Sequence, residues 1–137
     1  MVREIVRDEA FLSQISEQAT NEDISVAIDL VDTLKAHAHH CVGLAANMIG
    51  VAKRIIAVKE GNIYLAILNT EIVKKSAKSY KTKEGCLSLA DERETVRHDW
   101  VEVKYHDMDF HKQKQKFIGF TAQIIQHEID HLEGILI

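Results

Sequence analysis

Gln126-His127-Glu128-Ile129-Asp130-His131-Leu132, near the C-terminal end of this 137-residue chain, is the segment around which the other elements can be arranged. It contains the pattern His-Glu-x-x-His, and residues four positions apart project from nearly the same face of an α-helix. Two histidines placed in this way can hold one metal ion, with Glu128 beside them as a proton shuttle. A helix whose histidines are hydrogen-bonded core residues is the alternative, and the motif alone does not decide.

The residues around the motif have the periodicity of a buried helix. One stripe contains Phe120, Ile124, His127 and His131, a second contains Ile125, Ile129 and Leu132, and a polar stripe contains Gln123, Gln126, Asp130 and Glu133. Gly134 follows, where a helix often ends on a left-handed residue. We therefore predict a helix from about Phe120 to Glu133. Its two apolar stripes need cover on more than one side, so we expect it between layers of antiparallel sheet.

A catalytic metal site usually has three protein ligands and one open position, so the two histidines need a partner. Downstream of the motif only Glu133 has a suitable side chain, and it belongs to the polar stripe. The third ligand is therefore expected upstream, where Cys86 is a candidate, since a thiolate binds zinc or ferrous iron strongly. A buried apolar cysteine and a nucleophilic Cys-His pair are the alternatives, but a pair explains only one of the two histidines.

Composition restricts the class of protein. Hydrophobic residues make up 46% and charged residues 28% of the chain, which is ordinary for a globular protein, and the length suits one domain over residues 1–137. The net charge of -4 argues against a nucleic-acid partner. We find neither an apolar run of membrane-spanning length nor a signal-peptide core. Two cysteines do not form a disulfide framework, so a reducing cytoplasm is expected.

The upstream half predicts a helix followed by strands. Met1–Gln18 is interpreted as an irregular arm, and a helix is predicted from the N-cap Thr20 to about His39. The histidines at its end, His37, His39 and His40, permit a second metal site, although histidines also suit the negative end of a helix dipole. The strands are predicted at Arg54–Val58, Ile63–Leu68, Ile72–Lys83, Trp100–Tyr105 and Gln115–Phe120. This order indicates an α+β fold with antiparallel sheets.

Three stretches together resemble the signature motifs of the peptide deformylases, over roughly residues 3 to 136. They are Gly43-Leu44-Ala45-Ala46-x-x-Ile49-Gly50, Glu84-Gly85-Cys86-Leu87-Ser88 and Gln126-His127-Glu128-x-x-His131. The resemblance implies a deformylase-like domain with one divalent metal ion on Cys86, His127 and His131. That ion is typically iron(II) in the cell and often zinc or nickel in purified protein. Glu128 is implied as the general acid and base.

The resemblance also implies a substrate, the N-formyl group of a formyl-methionyl peptide, which is released as formate. Backbone groups near Val42, Gly43 and Leu87 are implied to bind the peptide or the oxyanion, and Glu84 is assigned to substrate binding. Nascent chains at the ribosome are the implied partners, with no need for nucleic acid or a membrane. The oligomeric state and the native metal do not follow from the sequence.

The sequence departs from the family pattern at Met48, where the family has a glutamine whose amide donates a hydrogen bond to the developing oxyanion. A thioether has no donor. Loss of one such donor typically costs about 3 kcal/mol of transition-state stabilisation. Ala90 and His98 stand at two further family positions, for a proline and an arginine, with Arg97 one place before His98. Met48 therefore leaves a second hypothesis open: a deformylase-like metalloprotein that acts on or binds another formylated or acylated substrate.

Overall fold

A computed structural model describes residues 1–137 as an α+β fold, the class predicted from the sequence. The helices are α1 (Glu9–Leu12), α2 (Ile24–Ala36) and α3 (Gly119–Leu132). The strands are β1 (Gly43–Ala45), β2 (Ile55–Glu60), β3 (Ile63–Lys75), β4 (Ser79–Cys86), β5 (Leu89–His98), β6 (Trp100–His106) and β7 (Lys112–Ile118). One antiparallel sheet has the order β1-β2-β3-β6-β7, and β4 and β5 form a separate hairpin. No helix combines the length and apolar character needed to cross a membrane.

The N-terminal helix begins as predicted and ends earlier than predicted. Thr20 and Asp23 form a reciprocal capping box over a short 3-10 turn, which leads directly into α2. The helix stops at Ala36, where the N–H of His37 donates to the carbonyl of Leu34 and the N–H of Ala38 donates to that of Lys35. The arm before it is not wholly irregular, because Asp8 caps the single turn of α1.

The C-terminal helix lies between the two sheets, as the paired apolar stripes predicted. It packs on β1 and β2 of the large sheet and on β5 of the hairpin. Ile125 and Leu132 have no exposed surface, and burial of each stabilises the fold by about 1.5–3 kcal/mol. Gly134 follows in the left-handed conformation, with φ of 78°. Phe120 departs from its stripe, since this side chain is 62% exposed at the start of α3.

The predicted strand Ile72–Lys83 is wrong, because the chain leaves one sheet and enters the other within it. β3 ends at Lys75, and the next residue, Ser76, bonds through its N–H to Trp100 and through its hydroxyl to Lys78 and Asp99. The chain then pairs with β5, a strand that was missed because its many charges give no apolar alternation. Gln126 of α3 ties this hairpin to the helix, since its side-chain amide bonds both the N–H and the C=O of His98.

Candidate active site

A cavity of about 440 Å³ opens where the first turn of α3, the segment from His40 to Met48, and the β4–β5 hairpin meet. The fold gathers the predicted site residues here although they come from distant parts of the sequence. The cavity is lined by Val42, Gly43, Met48, Glu84, Cys86, Leu87, His127 and Glu128, and His131 lies one helical turn behind His127 with no exposed surface. The three signature stretches therefore form the walls of one site.

Cys86, His127 and His131 bring one ligand atom each to a common point. Sγ of Cys86 and one ring nitrogen of each histidine all lie within 4.8 Å of one another. The two Nε2 atoms are 3.1 Å apart, and tetrahedral zinc with Zn–N bonds of 2.0–2.1 Å places two nitrogens about 3.3 Å apart. The donor set of one thiolate and two imidazoles suits zinc or iron. The residues present therefore fit a single divalent ion.

A buried hydrogen-bond network fixes the orientation of His127. Its Nδ1 lies 2.7 Å from Oε1 of Glu84, and its Nε2 faces Nε2 of His131. Arg97 donates to both oxygens of Glu84 and also to Asp130 at 2.6 Å, while Gln123 donates to Oε2 of Glu84 at 2.9 Å. A carboxylate behind a ligating histidine is the usual means of fixing the ring and its tautomer.

The charges of this network stabilise each other. Burial raises the pKa of Glu84, but its hydrogen bonds to His127 and Arg97 lower it more strongly, to about 2. Burial lowers the pKa of His127, whereas its hydrogen bond with Cys86 and the carboxylates of Glu128 and Glu84 raise it to about 10. A metal ion competes with that proton for the ring, so ion binding is coupled to proton release.

His131 is held as a neutral ring. Burial lowers its pKa, and the neighbouring charge of His127 lowers it further, to about 3. Its backbone carbonyl accepts a 2.9 Å hydrogen bond from the side-chain amide of Asn47, which joins α3 to the 3-10 turn Ala46–Ile49. A neutral imidazole is the form that binds a metal ion.

Glu128 is the one carboxylate of the site with a free, buried oxygen. The residue is 4% exposed, and its Oε1 has no hydrogen-bond partner. Burial raises the pKa of Glu128 to about 7, opposed by the charge of His127. Gly43 allows β1 to approach it closely, because a Cβ at position 43 would lie 2.8 Å from Oε2 of Glu128 and 2.6 Å from Ile124. The arrangement suits proton transfer near neutral pH.

The cavity wall at Met48 is apolar. Met48 is 1% exposed, and its sulfur accepts a weak hydrogen bond from the N–H of Ala45 at 3.5 Å. Its side chain offers no donor to the cavity. Glu84, which the resemblance assigned to substrate binding, lines the cavity but has both carboxylate oxygens engaged by protein side chains.

Sequence reasoning missed the groups behind the ligands. Arg97, Asp130, Gln123 and Asn47 were not predicted to support the site. Asp130 and Gln123 belong to the same helix as the motif, which was the available signal for them. His98, which stands at the family's arginine position, does not bond Glu84, because its Nδ1 lies 2.8 Å from the carbonyl oxygen of Ser76. Arg97, one place earlier, bonds Glu84.

The histidines near the end of α2, where the sequence permitted a second metal site, do not form a three-ligand set. The rings of His37, His39 and His40 contact one another edge to face, but their ligand atoms do not converge as those of the main site do. His40 lines the mouth of the cavity.

Known proteins resemble the whole chain. Residues 2–137 match the model of the family described as polypeptide deformylase. The chain is 56% identical over 137 residues to a peptide deformylase from Clostridium beijerinckii, with both chains covered completely. Among solved structures, peptide deformylase from Thermotoga maritima has a TM-score of 0.87 at 28% identity, covering 99% of this chain and 94% of that one. A Met-Ala-Ser-bound peptide deformylase from Acinetobacter baumannii has a TM-score of 0.88 at 29% identity, covering 99% and 96%.

These similarities define a metal-dependent hydrolase. The chain belongs to the polypeptide deformylase family. The resemblance of the three motifs is thereby confirmed, as is the expected activity, removal of the N-formyl group from nascent peptides. The alternative of a different acylated substrate is not favoured.

Proposed function

We propose that this chain deformylates formyl-methionyl peptides with Glu128 as general acid and base beside one divalent ion on Cys86, His127 and His131. The unpartnered, buried oxygen of Glu128 at the edge of the converging ligand set is the observation that carries the proposal. If Cys86, His127 and His131 were only core residues, the buried oxygen of Glu128 would have no partner to compensate for its loss of solvent.

The proposed ion would lower the pKa of a water molecule and polarise the formyl carbonyl. Iron(II) is the ion proposed for the cell, with zinc or nickel as its replacements in purified protein. The donor types are matched to such an ion, since a cysteine sulfur and imidazole nitrogens are ligands that iron and zinc accept, and the buried ring of His131 is neutral.

Glu128 handles the protons of the reaction. Its pKa of about 7 allows it to accept a proton from water and to donate one to the leaving amine at the same pH. The N–H of Leu87 is proposed as the donor to the developing oxyanion, because Leu87 lines the cavity beside Cys86. Met48 is proposed to contribute an apolar surface, without a donor, at the position where the family has a glutamine that donates to the oxyanion. The role proposed for Glu84 is to orient His127, since its oxygens are occupied.

The peptide is proposed to lie along the cavity mouth beside Val42 and Gly43, which line it. The Met-Ala-Ser bound to the Acinetobacter baumannii deformylase supports a peptide with N-terminal methionine as the ligand class. Nascent chains emerging from the ribosome in the cytoplasm are the proposed source of such peptides, without a requirement for nucleic acid or a membrane.

Formate release tests the proposal. The protein is purified anaerobically, loaded with iron(II), assayed for bound metal, and incubated with formyl-Met-Ala-Ser. We expect one ion per chain and formate release that follows Michaelis–Menten kinetics, with acetyl-Met-Ala-Ser as the unreactive control. Protein that binds one ion but releases no formate above the metal-free background would overturn the proposed function.

A further inference from the structure

The N-terminal arm crosses from helix α2 to both walls of the cavity. At its beginning, Arg3 pairs with Asp29 of α2 at 2.6 Å. Further along, the N–H of Val6 donates to the carbonyl of Met48 at 2.8 Å. The next residue, Arg7, donates from its guanidinium to the carbonyl of Leu87. Two consecutive residues of the arm thus bind the apolar wall and the cysteine loop.

The carbonyl that Arg7 binds belongs to the peptide unit that also contacts the sulfur of Cys86. The N–H of Ser88, on the other side of the Leu87–Ser88 amide, donates to Sγ of Cys86 at 3.4 Å. A positive charge on the carbonyl polarises the amide and makes its N–H a better donor. A stronger N–H donor stabilises negative charge on the sulfur. Arg7 is therefore connected to the proposed metal ligand through a single amide.

The loop has few other side-chain anchors. Leu87 and Ser88 form the two-residue turn of the β4–β5 hairpin, and the strand register is irregular between Glu84 and Cys86. The hydroxyl of Ser88 is buried without a hydrogen-bond partner, so it does not fix the turn. The guanidinium of Arg7 is the side-chain group that bonds the turn from outside.

We propose that Arg7 is a positioning residue for this site: it orients the Leu87–Ser88 amide so that its N–H faces the sulfur of Cys86. This inference rests on the proposed function, because it takes Cys86 as a metal ligand. The same contact also restrains Leu87, whose own N–H is the proposed oxyanion donor. Arg7 touches neither substrate nor metal and acts only through the loop.

Cobalt(II)-substituted protein gives a readout that does not depend on activity, because a thiolate ligand produces a sulfur-to-cobalt charge-transfer band. In Arg7→Met we expect this band to move to lower energy, since the sulfur loses hydrogen-bond stabilisation. Removal of a group that supports a metal ligand typically costs 10–100-fold in affinity or activity. Because Arg7 is exposed and acts indirectly, we expect about tenfold faster release of cobalt to a chelator and about tenfold lower kcat, with little change in KM.

Two variants separate this role from general support of the arm. Arg7→Lys keeps a cationic donor and should restore most of the band position and the release rate. Glu9→Gln removes the pairing of the arm with Arg93 of the hairpin, at 3.8 Å, but leaves the loop contact intact, and it should behave as wild type. Circular dichroism of each variant checks that it is folded.

The outcomes distinguish the inference from the proposed function. A wild-type protein without a thiolate-to-cobalt band overturns the ligand set and this inference with it. A normal wild-type band that is unchanged in Arg7→Met, with release and kcat like those of Glu9→Gln, overturns the role of Arg7 alone. A shifted band and faster release that Arg7→Lys reverses support it.

Discussion

The two walls of the cavity differ in how their polar groups are arranged. On the α3 and hairpin side, Glu84 bonds His127, Arg97 and Gln123, so the group behind the ligands is fixed from several directions. On the wall formed by the segment from His40 to Met48, Met48 presents a thioether whose sulfur accepts a hydrogen bond from the N–H of Ala45. One wall therefore supplies oriented charge and the other supplies shape. A metal site demands accurate ligand positions, whereas an apolar wall tolerates change.

The bonded wall is stable only as a set. Glu84, Arg97 and His127 are each less than a tenth exposed, and a buried charge is costly unless its partners remain. The network is thus expected to resist small changes and to respond strongly when one member is removed. Substitution of Met48 in the apolar wall is expected to have a weaker effect.

Removing Arg97 breaks the bonded wall and should give the largest loss of stability. Arg97→Met leaves Glu84 and Asp130 without their cation, and loss of one partner of a buried ion pair costs about 3–5 kcal/mol. Urea denaturation at a fixed metal load measures this change in the free energy of unfolding. Lys78→Met is the control, because that side chain is 84% exposed and lies 4.0 Å from Asp99. Equal losses in the two variants would show that the buried network contributes no more to the free energy of unfolding than an exposed ion pair does.

Adding a methyl group at Gly43 alters the contact between the two walls. The new Cβ would meet Glu128 and Ile124 at less than 3 Å, so the carboxylate must move. A displacement of about 1 Å in a catalytic group can cost on the order of a hundredfold in rate, and we expect kcat of Gly43→Ala to fall by about that factor. The bound metal should stay at one ion per chain. Gly85→Ala, whose added atom meets only Glu92 at 3.6 Å, should lower kcat far less.

Giving the apolar wall a donor should have the smallest effect and the opposite sign. Met48→Gln places an amide where the thioether lies, in a side chain of similar length. A donor aimed at charge that develops only in the transition state raises kcat more than it lowers KM. We expect a gain of about tenfold, which corresponds to about 1.4 kcal/mol.

Met48→Leu controls for the change of shape at this position, since it keeps an apolar side chain without a donor. Both variants are compared with wild type at the same metal load. If kcat of Met48→Gln is no higher than that of Met48→Leu, the lack of an amide donor at this position does not limit turnover, and the surrounding residues are adapted to the thioether.

Local sequence patterns predicted the elements whose buried side chains recur with a regular period. The final helix was predicted as Phe120–Glu133 and is Gly119–Leu132, because its two apolar stripes are periodic. The break at Ser76 could not be predicted, since it depends on bonds to Trp100 and Asp99 in another part of the chain. The hairpin strand Leu89–His98 has no apolar alternation, because a two-stranded sheet exposes much of both faces.

The candidate metal ligands of the site could be predicted from the sequence, whereas the hydrogen-bonding residues that support them could not. Ligand types and helical spacing identify Cys86 and the two histidines as candidates. The partners Arg97 and Asn47 act through contacts with residues far along the chain, and no local pattern distinguishes them from other polar residues. Arg7 lies at the opposite end of the sequence from α3 and was interpreted as part of an irregular arm.

Cys86 and Glu128 have separate roles in the proposed site: Cys86 helps to hold the ion, and Glu128 transfers protons. Metal content and formate release, measured together for wild type, Cys86→Ala and Glu128→Ala after identical anaerobic loading with iron(II), test these roles most directly. We predict one ion per chain in wild type and Glu128→Ala, and a loss of bound metal in Cys86→Ala. Turnover should fall by about 10²–10⁴-fold or more in Glu128→Ala, the range for a lost general acid and base. Unchanged metal binding in Cys86→Ala, or undiminished turnover in Glu128→Ala, would contradict the account.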